Sequence, residues 1–311
     1  MKGQIEYLRD KGLDVHVVSS EGPEQNRYSS DITHVVNMER EISLKNDLKS
    51  LMNMIRLFKK EKPHIINSGT PKAGLIGTLA AFITRRPVRI YTVRGLRLET
   101  VTGLKYKILY VMEKLAMLCA TDIIAVSESL KSKIVELKLA KSNKIKVLGY
   151  GSSNGVDIEK FSKQFNSIPF DIKEAISGYF VIGFVGRIVK DKGIKEVVEM
   201  FKILQHRNLK VKLLILGNPE KDDSISNDDY QYLLNHEDIV LVGQVPDPVH
   251  YFNHMDVLVS PTYREGFANV SLEAQSVEVP VITTRATGAI DTIEDNHTGF
   301  LVNVGESVGL A

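Results

Sequence analysis

The sequence predicts an α/β chain folded as two doubly wound parallel sheets in tandem, and three observations lead there. Short apolar runs recur along the chain, separated by amphipathic segments of helix length. Runs apolar on both faces, alternating with helices, are what parallel sheets covered on both sides require. The rhythm breaks once, at "NGVDIEKFSKQFNSIPFDIKEAIS" (154–177), and 311 residues are long for one compact core.

Taken in order, the first set of strands is "LDVHVVS" (13–19), "PHIINS" (63–68), "VRIYTV" (88–93), "TDIIAVS" (121–127) and "KIKVLGYG" (144–151). The second set is "YFVIGFVG" (179–186), "VKLLILG" (211–217), "DIVLVG" (238–243), "DVLVSP" (256–261), "VPVITT" (279–284) and "GFLVNV" (299–304). The predicted boundaries are therefore a first domain at 1–153, a connection at 154–177 and a second domain at 178–311. Ligands of such sheets lie in the crevice at the carboxyl ends of the strands. Both ends read as cut. "MKGQIEYLRDKG" is a helix with no strand before it, which would leave a gap at the first sheet's centre, and no covering helix follows "GFLVNV".

The composition, 43% hydrophobic and 25% charged, is that of a soluble globular chain. One cysteine, Cys119, rules out an internal disulfide and fits a reducing cytoplasm. The longest uncharged apolar stretch, "AGLIGTLAAFI" (73–83), is too short to span a bilayer. His250 and His254 are four apart, but no third ligand joins them, so no metal site is expected. Residues 1–150 hold 26 Lys and Arg against 15 Asp and Glu, a balance of +11, and the remainder 14 against 23, a balance of −9. The basic half suits an anionic membrane or substrate; a plain solvated surface is the alternative. "GLKYKILYVMEKLAML" (103–118) is apolar and basic enough to lie on a bilayer, or it is an internal helix.

Two stretches carry chemistry. In "FVGRIVKDKG" (184–193) a strand ends at Gly186, and Arg187 and Lys192 flank a short loop before a helix. Two cations beside a helix N-terminus make an anion site, with arginine offering a planar fork and lysine a mobile point charge. In "REGFANVSLEA" (264–274) the amides of Gly266, Phe267, Ala268 and Asn269 open a helix that carries Glu273 in its first turn, and Glu265 sits in the loop. Such amides suit phosphate. Carboxylates repel phosphate but accept hydrogen bonds from vicinal hydroxyls. Glu265 and Glu273 could grip two polyols on either side of a diphosphate, the layout of a nucleotide-sugar; otherwise Glu273 is only a favourable acid near a helix start.

Together, "GRIVKDKG" and "EGFANVSLE" resemble the retaining glycosyltransferases of the GT-B fold, in particular family 4, whose second domain carries G-R-x-x-x-x-K-G and later E-G-F-x-N with a second glutamate. "NGVDIEKF" resembles that family's linker, and "GTPKAGLIGTLAA" a first-domain helix of its bacterial polysaccharide enzymes. The resemblance implies two Rossmann-like domains facing each other across a cleft. It implies that Arg187 and Lys192 bind a donor diphosphate, Glu273 the ribose hydroxyls and Glu265 the transferred sugar. The stretch from Gly266 to Asn269 would hold sugar and phosphate, and Gly243 and Val245 would lie near the base.

In the first domain Arg94-Gly95 stands where many relatives have His-Gly, and an arginine there can stabilise an anion but cannot act as a base. Gly69, Thr70 and Lys72, in "SGTPKAG" (68–74), and Ser127 would face the acceptor, unless they simply turn and cap the chain. The implied reaction moves a sugar from a nucleotide-diphosphate donor, UDP being the family's commonest, to a polysaccharide or lipid-linked glycan in cell-surface polysaccharide synthesis. No cofactor or metal is expected, because cations and helix N-termini meet the charge. No nucleic-acid partner is expected, and the place of work would be the cytoplasm, at the inner face of the membrane. "GYGSSNG" (149–155) imitates a dinucleotide fingerprint but runs into the connection rather than a helix. Two alternatives stay open: an inactive nucleotide-sugar-binding remnant, and a nucleotide-sugar 2-epimerase.

Overall fold

A computed structural model describes residues 3–22, 28–29, 32–39, 43–152, 154–163, 168–220 and 225–311. The chain divides into two compact units, Met1–Asn154 and Gly155–Ala311. The first runs α1 (Gln4–Asp10), β1 (Val17–Ser19), β2 (Thr33–Val35), α2 (Leu44–Glu61), β3 (Ile65–Ser68), α3 (Pro71–Ile83), β4 (Val88–Val93), α4 (Gly103–Cys119), β5 (Asp122–Ala125), α5 (Glu128–Glu136) and β6 (Ile145–Lys146). The second runs α6 (Phe170–Ile176), β7 (Phe180–Val185), α7 (Ile194–His206), β8 (Val211–Leu216), α8 (Asn227–Asn235), β9 (Ile239–Gly243), α9 (Val249–Phe252), β10 (Val257–Ser260), α10 (Asn269–Ser276), β11 (Val281–Thr284), β12 (Gly299–Val302) and α11 (Ser307–Leu310).

Every described strand pair is parallel, as the doubly apolar runs require. The first unit holds two separate sheets, β1-β2 and β3-β4-β5-β6, and the second holds one, β12-β11-β10-β7-β8-β9. The sequence does not announce β2, which is three residues long with a half-exposed face. "KIKVLGYG" pairs over only two residues, because Gly149 and Gly151 take φ of 56° and 107° and turn the chain out of the sheet. The segment read as a connection packs into the second unit. Phe161, Ile168 and Ile176 are buried in the same cluster as Val181, Leu214 and Leu258. Of that segment, residues 164–167 lie outside the described residues.

In the first unit α3 lies tight on β3 and β4 because it is built of small residues. A Cβ at Gly74 would stand 2.3 Å from the Tyr91 ring, and one at Gly77 2.3 Å from Ser68 Oγ. Under that contact the Tyr91 hydroxyl donates to Glu113 Oε2 of α4 at 2.9 Å, and both residues are buried. Burial pushes the Glu113 carboxyl up to about 7. A carboxyl whose folded value lies above its ordinary 4.5 stabilises the fold fully below that value and loses the contribution as pH rises toward 7. At higher pH the buried charge costs about 3 kcal/mol. Glu113→Gln keeps the hydrogen-bond partner without the charge. The variant is expected to flatten the decline in stability between about pH 5 and 7 and to unfold at higher urea than the parent at pH 8. Urea titrations across that range check it.

Candidate active site

The second sheet places the site. From β7 the chain steps outward to β8 and β9, then returns to β10 on the other side of β7 and steps outward to β11 and β12. The order reverses between β7 and β10, the switch point at whose carboxyl ends such sheets hold ligands. Those two loops are residues 186–193 and 261–268, the stretches whose chemistry stood out in the sequence.

They are stitched together. Tyr263 N donates to the Asp191 carbonyl at 2.9 Å, and Thr262 Oγ1 donates to the same oxygen at 3.0 Å and to the Arg264 carbonyl at 3.1 Å. Arg264 Nη2 pairs with Asp191 Oδ2 at 2.6 Å. Lys192 Nζ pairs with Glu265 Oε1, so the structure brings together the lysine and the loop glutamate read from the sequence. Both side chains are largely but not fully covered, 21% and 18% exposed, which leaves them reachable by a ligand. Gly193, φ 71°, has no room for a Cβ, which would lie 1.9 Å from the Pro261 carbonyl oxygen. Below the second loop, Gly288 is needed for a similar reason: its Cβ would stand 2.6 Å from the carbonyl oxygens of Glu265 and Gly266.

The other residues read from the sequence for the donor fall along the same edge. Gly186, Gly217 and Gly243 stand at the ends of the neighbouring strands β7, β8 and β9, and Gly217 N donates to the Gly243 carbonyl at 2.8 Å. A Cβ at Gly217 would lie 1.8 Å from the Gly186 carbonyl oxygen, so the row is close-packed backbone. Arg187 is exposed and pairs through Nη1 with Glu220 at 2.8 Å. Val245 packs against the buried cluster beneath.

The amides of Gly266–Asn269 do not act alike. Ala268 N donates to the Gly288 carbonyl at 3.1 Å and Asn269 N to the Phe267 carbonyl at 2.9 Å, so both are already used. Among the described residues, the amides of Gly266 and Phe267 make no hydrogen bond. Glu273 is the fifth residue of α10, in its second turn rather than its first, because the helix starts at Asn269. Burial pushes its carboxyl above the ordinary range, Lys160 pulling it back and Asp247 adding to the rise.

In the first unit, Gly69 and Thr70 follow β3, Arg94 and Gly95 follow β4, and Ser127 stands just past β5, all at the carboxyl edge of neighbouring strands. Arg94 is exposed and lies over Gly69, whose Cβ would stand 3.3 Å from Arg94 Nε. Three of the residues read for the acceptor side are otherwise engaged. Thr70 caps α3 by accepting from Ala73 N at 3.3 Å. Lys72 is tied to Asp47 of α2 at 2.7 Å. Ser127 is fully buried and caps α5, accepting from Leu130 N at 3.2 Å.

Sequence reasoning missed Asp191, Arg264, Tyr263 and Glu196. The Tyr263 hydroxyl donates to Glu196 Oε1 at 2.6 Å, and burial with that carboxylate raises the phenol to about 12. The signal that could have found the first two is the opposite charge of each immediate neighbour of Lys192 and Glu265. His250 belongs to the four-residue α9 and His254 lies beyond it, so they are not a helical pair. Among the described residues, no three His, Cys, Asp or Glu side chains gather as metal ligands would.

Comparison with known proteins agrees with this architecture. Residues 1–129 match the family model described as glycosyl transferase 4-like, and residues 168–311 match that of glycosyl transferases group 1. The chain is 58% identical over 311 residues to the capsular polysaccharide biosynthesis glycosyltransferase CapM of Staphylococcus aureus, covering all of this chain and 82% of that protein. It is 29% identical to an Escherichia coli UDP-Gal:alpha-D-GlcNAc-diphosphoundecaprenol alpha-1,3-galactosyltransferase, over 97% of this chain and 79% of that one. Among solved structures, the sucrose-phosphate synthase of Thermosynechococcus elongatus superposes with a TM-score of 0.75 at 19% identity, covering 98% of this chain and 80% of that one. Anabaena HepE in complex with UDP-glucose does so at 0.67 and 20%, covering 89% and 74%. With a relative 58% identical across the whole of this chain, a matching family model on each half and the fold of these structures, the chain belongs to the GT-B glycosyltransferases of capsular and cell-surface polysaccharide biosynthesis.

Proposed function

We propose that the chain moves a sugar from a UDP-sugar to a hydroxyl of a lipid-linked glycan or growing polysaccharide, with retention of configuration. The carrying observation is the Lys192–Glu265 pair at the point where the sheet order reverses. A glycosyl phosphate puts an anionic oxygen and the sugar hydroxyls within a few bonds of each other, so a cation and a carboxylate already in contact can divide between them. Lys192 and Arg187 then meet the charge that builds on the departing diphosphate, helped by the amides of Gly266 and Phe267. Glu265 holds the transferred sugar, Glu273 the ribose hydroxyls, and the glycine edge at Gly243 with Val245 lies beside the base. No divalent metal is needed for this charge. No side chain is assigned as nucleophile; the acceptor attacks the face the diphosphate leaves, and a phosphate oxygen takes its proton. On the acceptor side the reading narrows to Arg94, Gly69 and Gly95.

The relatives support the two substrates: the Escherichia coli protein is named for UDP-Gal and a diphosphoundecaprenol-linked sugar, and the HepE structure holds UDP-glucose. The test offers UDP-glucose, UDP-galactose and their two N-acetylated counterparts, each with a synthetic sugar-diphosphate-lipid, and follows UDP release and the anomeric coupling of the product. One donor giving an α-linked product from its α-linked sugar is expected. An inverted product sinks retention, an epimer formed without acceptor would reveal an epimerase, and UDP binding with no turnover of any donor sinks the transferase reading.

Contact with an anionic bilayer belongs to the same reading, and α4 supports it. No described helix is long and apolar enough to cross a membrane. Yet Leu104, Ile108, Val111, Leu115 and Leu118 are all exposed, Leu104 by 74%, at spacings that align them on one helix face. Exposed Lys105 and Lys107 flank that stripe, and the helix's single acid, Glu113, is buried. Such a face suits a surface of anionic lipid. The chain is expected to float with vesicles rich in phosphatidylglycerol, less with phosphatidylcholine alone, and Val111→Glu with Leu118→Glu should abolish flotation. Equal recovery of parent and variant would remove the membrane assignment.

A further inference from the structure

The two loops at the reversal of the sheet order carry charges in opposite order: Asp191 then Lys192 on one, Arg264 then Glu265 on the other. They meet as two consecutive ion pairs of opposite polarity, Asp191 with Arg264 and Lys192 with Glu265. Resting on the donor site proposed above, we propose that the Asp191–Arg264 pair is a positioning device. It holds the loops at a fixed separation while the donor takes Lys192 and Glu265 apart.

The two pairs differ in what surrounds them. The Asp191 carbonyl accepts from Tyr263 N at 2.9 Å and from Thr262 Oγ1 at 3.0 Å, and Arg264 Nη2 closes on Asp191 Oδ2 at 2.6 Å. The same threonine bonds the Arg264 carbonyl, so backbone and side chain of both residues are fixed at once. One residue on, Tyr263 is anchored to buried Glu196 at the start of α7. Among the described residues, the side chains of Lys192 and Glu265 bond only to each other, and each is needed by the donor. A glycosyl phosphate entering between them removes the one cross-loop attraction that involves the reacting groups. What then keeps the lysine and glutamate at the spacing of a glycosyl–phosphate linkage is the neighbouring pair, to which no donor contact is assigned.

Simple electrostatics and positioning make different predictions. Asp191→Asn removes a negative charge beside the phosphate, so it should tighten UDP binding or leave it unchanged. Arg264→Gln removes a positive charge there and should weaken UDP binding. If the pair positions the loops, both variants lose turnover in spite of these opposite effects on binding. The full chain is measured with the donor of the panel that supports most UDP release, and UDP affinity is taken separately by calorimetry.

The expected result is a tenfold or greater fall in kcat in both single variants, UDP affinities that move in opposite directions or not at all, and recovery to within about threefold of the parent in the reversed double variant Asp191→Arg with Arg264→Asp. Arg264→Lys, which keeps the charge, guards against a variant that fails to fold and should retain most activity. Single variants with parental kcat, or a double variant no better than the product of the singles, would overturn the proposal. If Lys192→Ala and Glu265→Gln are also fully active, the donor-site reading itself has failed; if those two are inactive and the Asp191 and Arg264 variants are not, only the positioning role is lost.

Discussion

Lys192→Ala is expected to lower sugar transfer by about a hundredfold or more while the second unit keeps its fold. The size follows from where the charge develops. Before transfer the diphosphate is already anionic, but breaking the glycosidic bond adds a full charge to the leaving oxygen, and a cation fixed beside it stabilises the transition state more than the bound donor. Glu265 holds Lys192 there before any ligand arrives, so the cation is already in place when the donor enters. Arg187 cannot take its place: it stands at the other end of the loop, is exposed, and is occupied by Glu220. The effect should appear mainly in kcat, with a smaller loss in UDP affinity. Circular dichroism and urea unfolding close to the parent's would show that the fold is intact. Turnover within a few fold of the parent would remove Lys192 from the diphosphate.

Gly193→Ala is expected to cost about 2 to 4 kcal/mol and to abolish activity with it. The residue has φ 71°, and its added Cβ would lie 1.9 Å from the Pro261 carbonyl oxygen. That neighbour is backbone, so no rotamer change relieves the clash, and the loops must part. Parting them separates Lys192 from Glu265 and Asp191 from Arg264 together. Gly178 is the matched control. It has φ 75°, but its Cβ would meet only Lys210 Nζ, at 3.7 Å. Gly178→Ala should therefore show only the backbone cost of about 1 kcal/mol and keep activity. Equal urea midpoints for the two variants would show that the close approach of the loops carries no weight.

Much of the fold could be read from the sequence because parallel strands buried on both faces leave an unmistakable apolar record. "VRIYTV" became β4 residue for residue, and β7 through β12 all fall inside the apolar runs. Short or half-exposed strands leave no such record, which is why β2 passes unnoticed and β6 reads too long. The segment 154–177 looks like a connection because its apolar residues are scattered, yet Phe161 and Ile176 are spaced to reach one core.

The candidate site was legible in its placement. Arg187, Lys192 and Glu265 all lie on the two loops that frame the sheet reversal. It was not legible where a polar residue serves the backbone. Thr70 and Ser127 read as loop hydroxyls, but each satisfies an amide at the start of a helix, and only the structure shows which hydroxyl is spent that way. Nor could the Asp191–Arg264 pair be found by spacing, since its members lie 73 residues apart and meet only because β7 and β10 are neighbours.

The most direct test is a crystal structure of the chain with a UDP-sugar bound. The account predicts the diphosphate against Lys192, Arg187 and the amides of Gly266 and Phe267, the ribose hydroxyls on Glu273, and the Lys192–Glu265 contact opened with Asp191–Arg264 unchanged. A donor bound away from the carboxyl ends of β7 and β10, or one that leaves the Lys192–Glu265 pair closed, would contradict it.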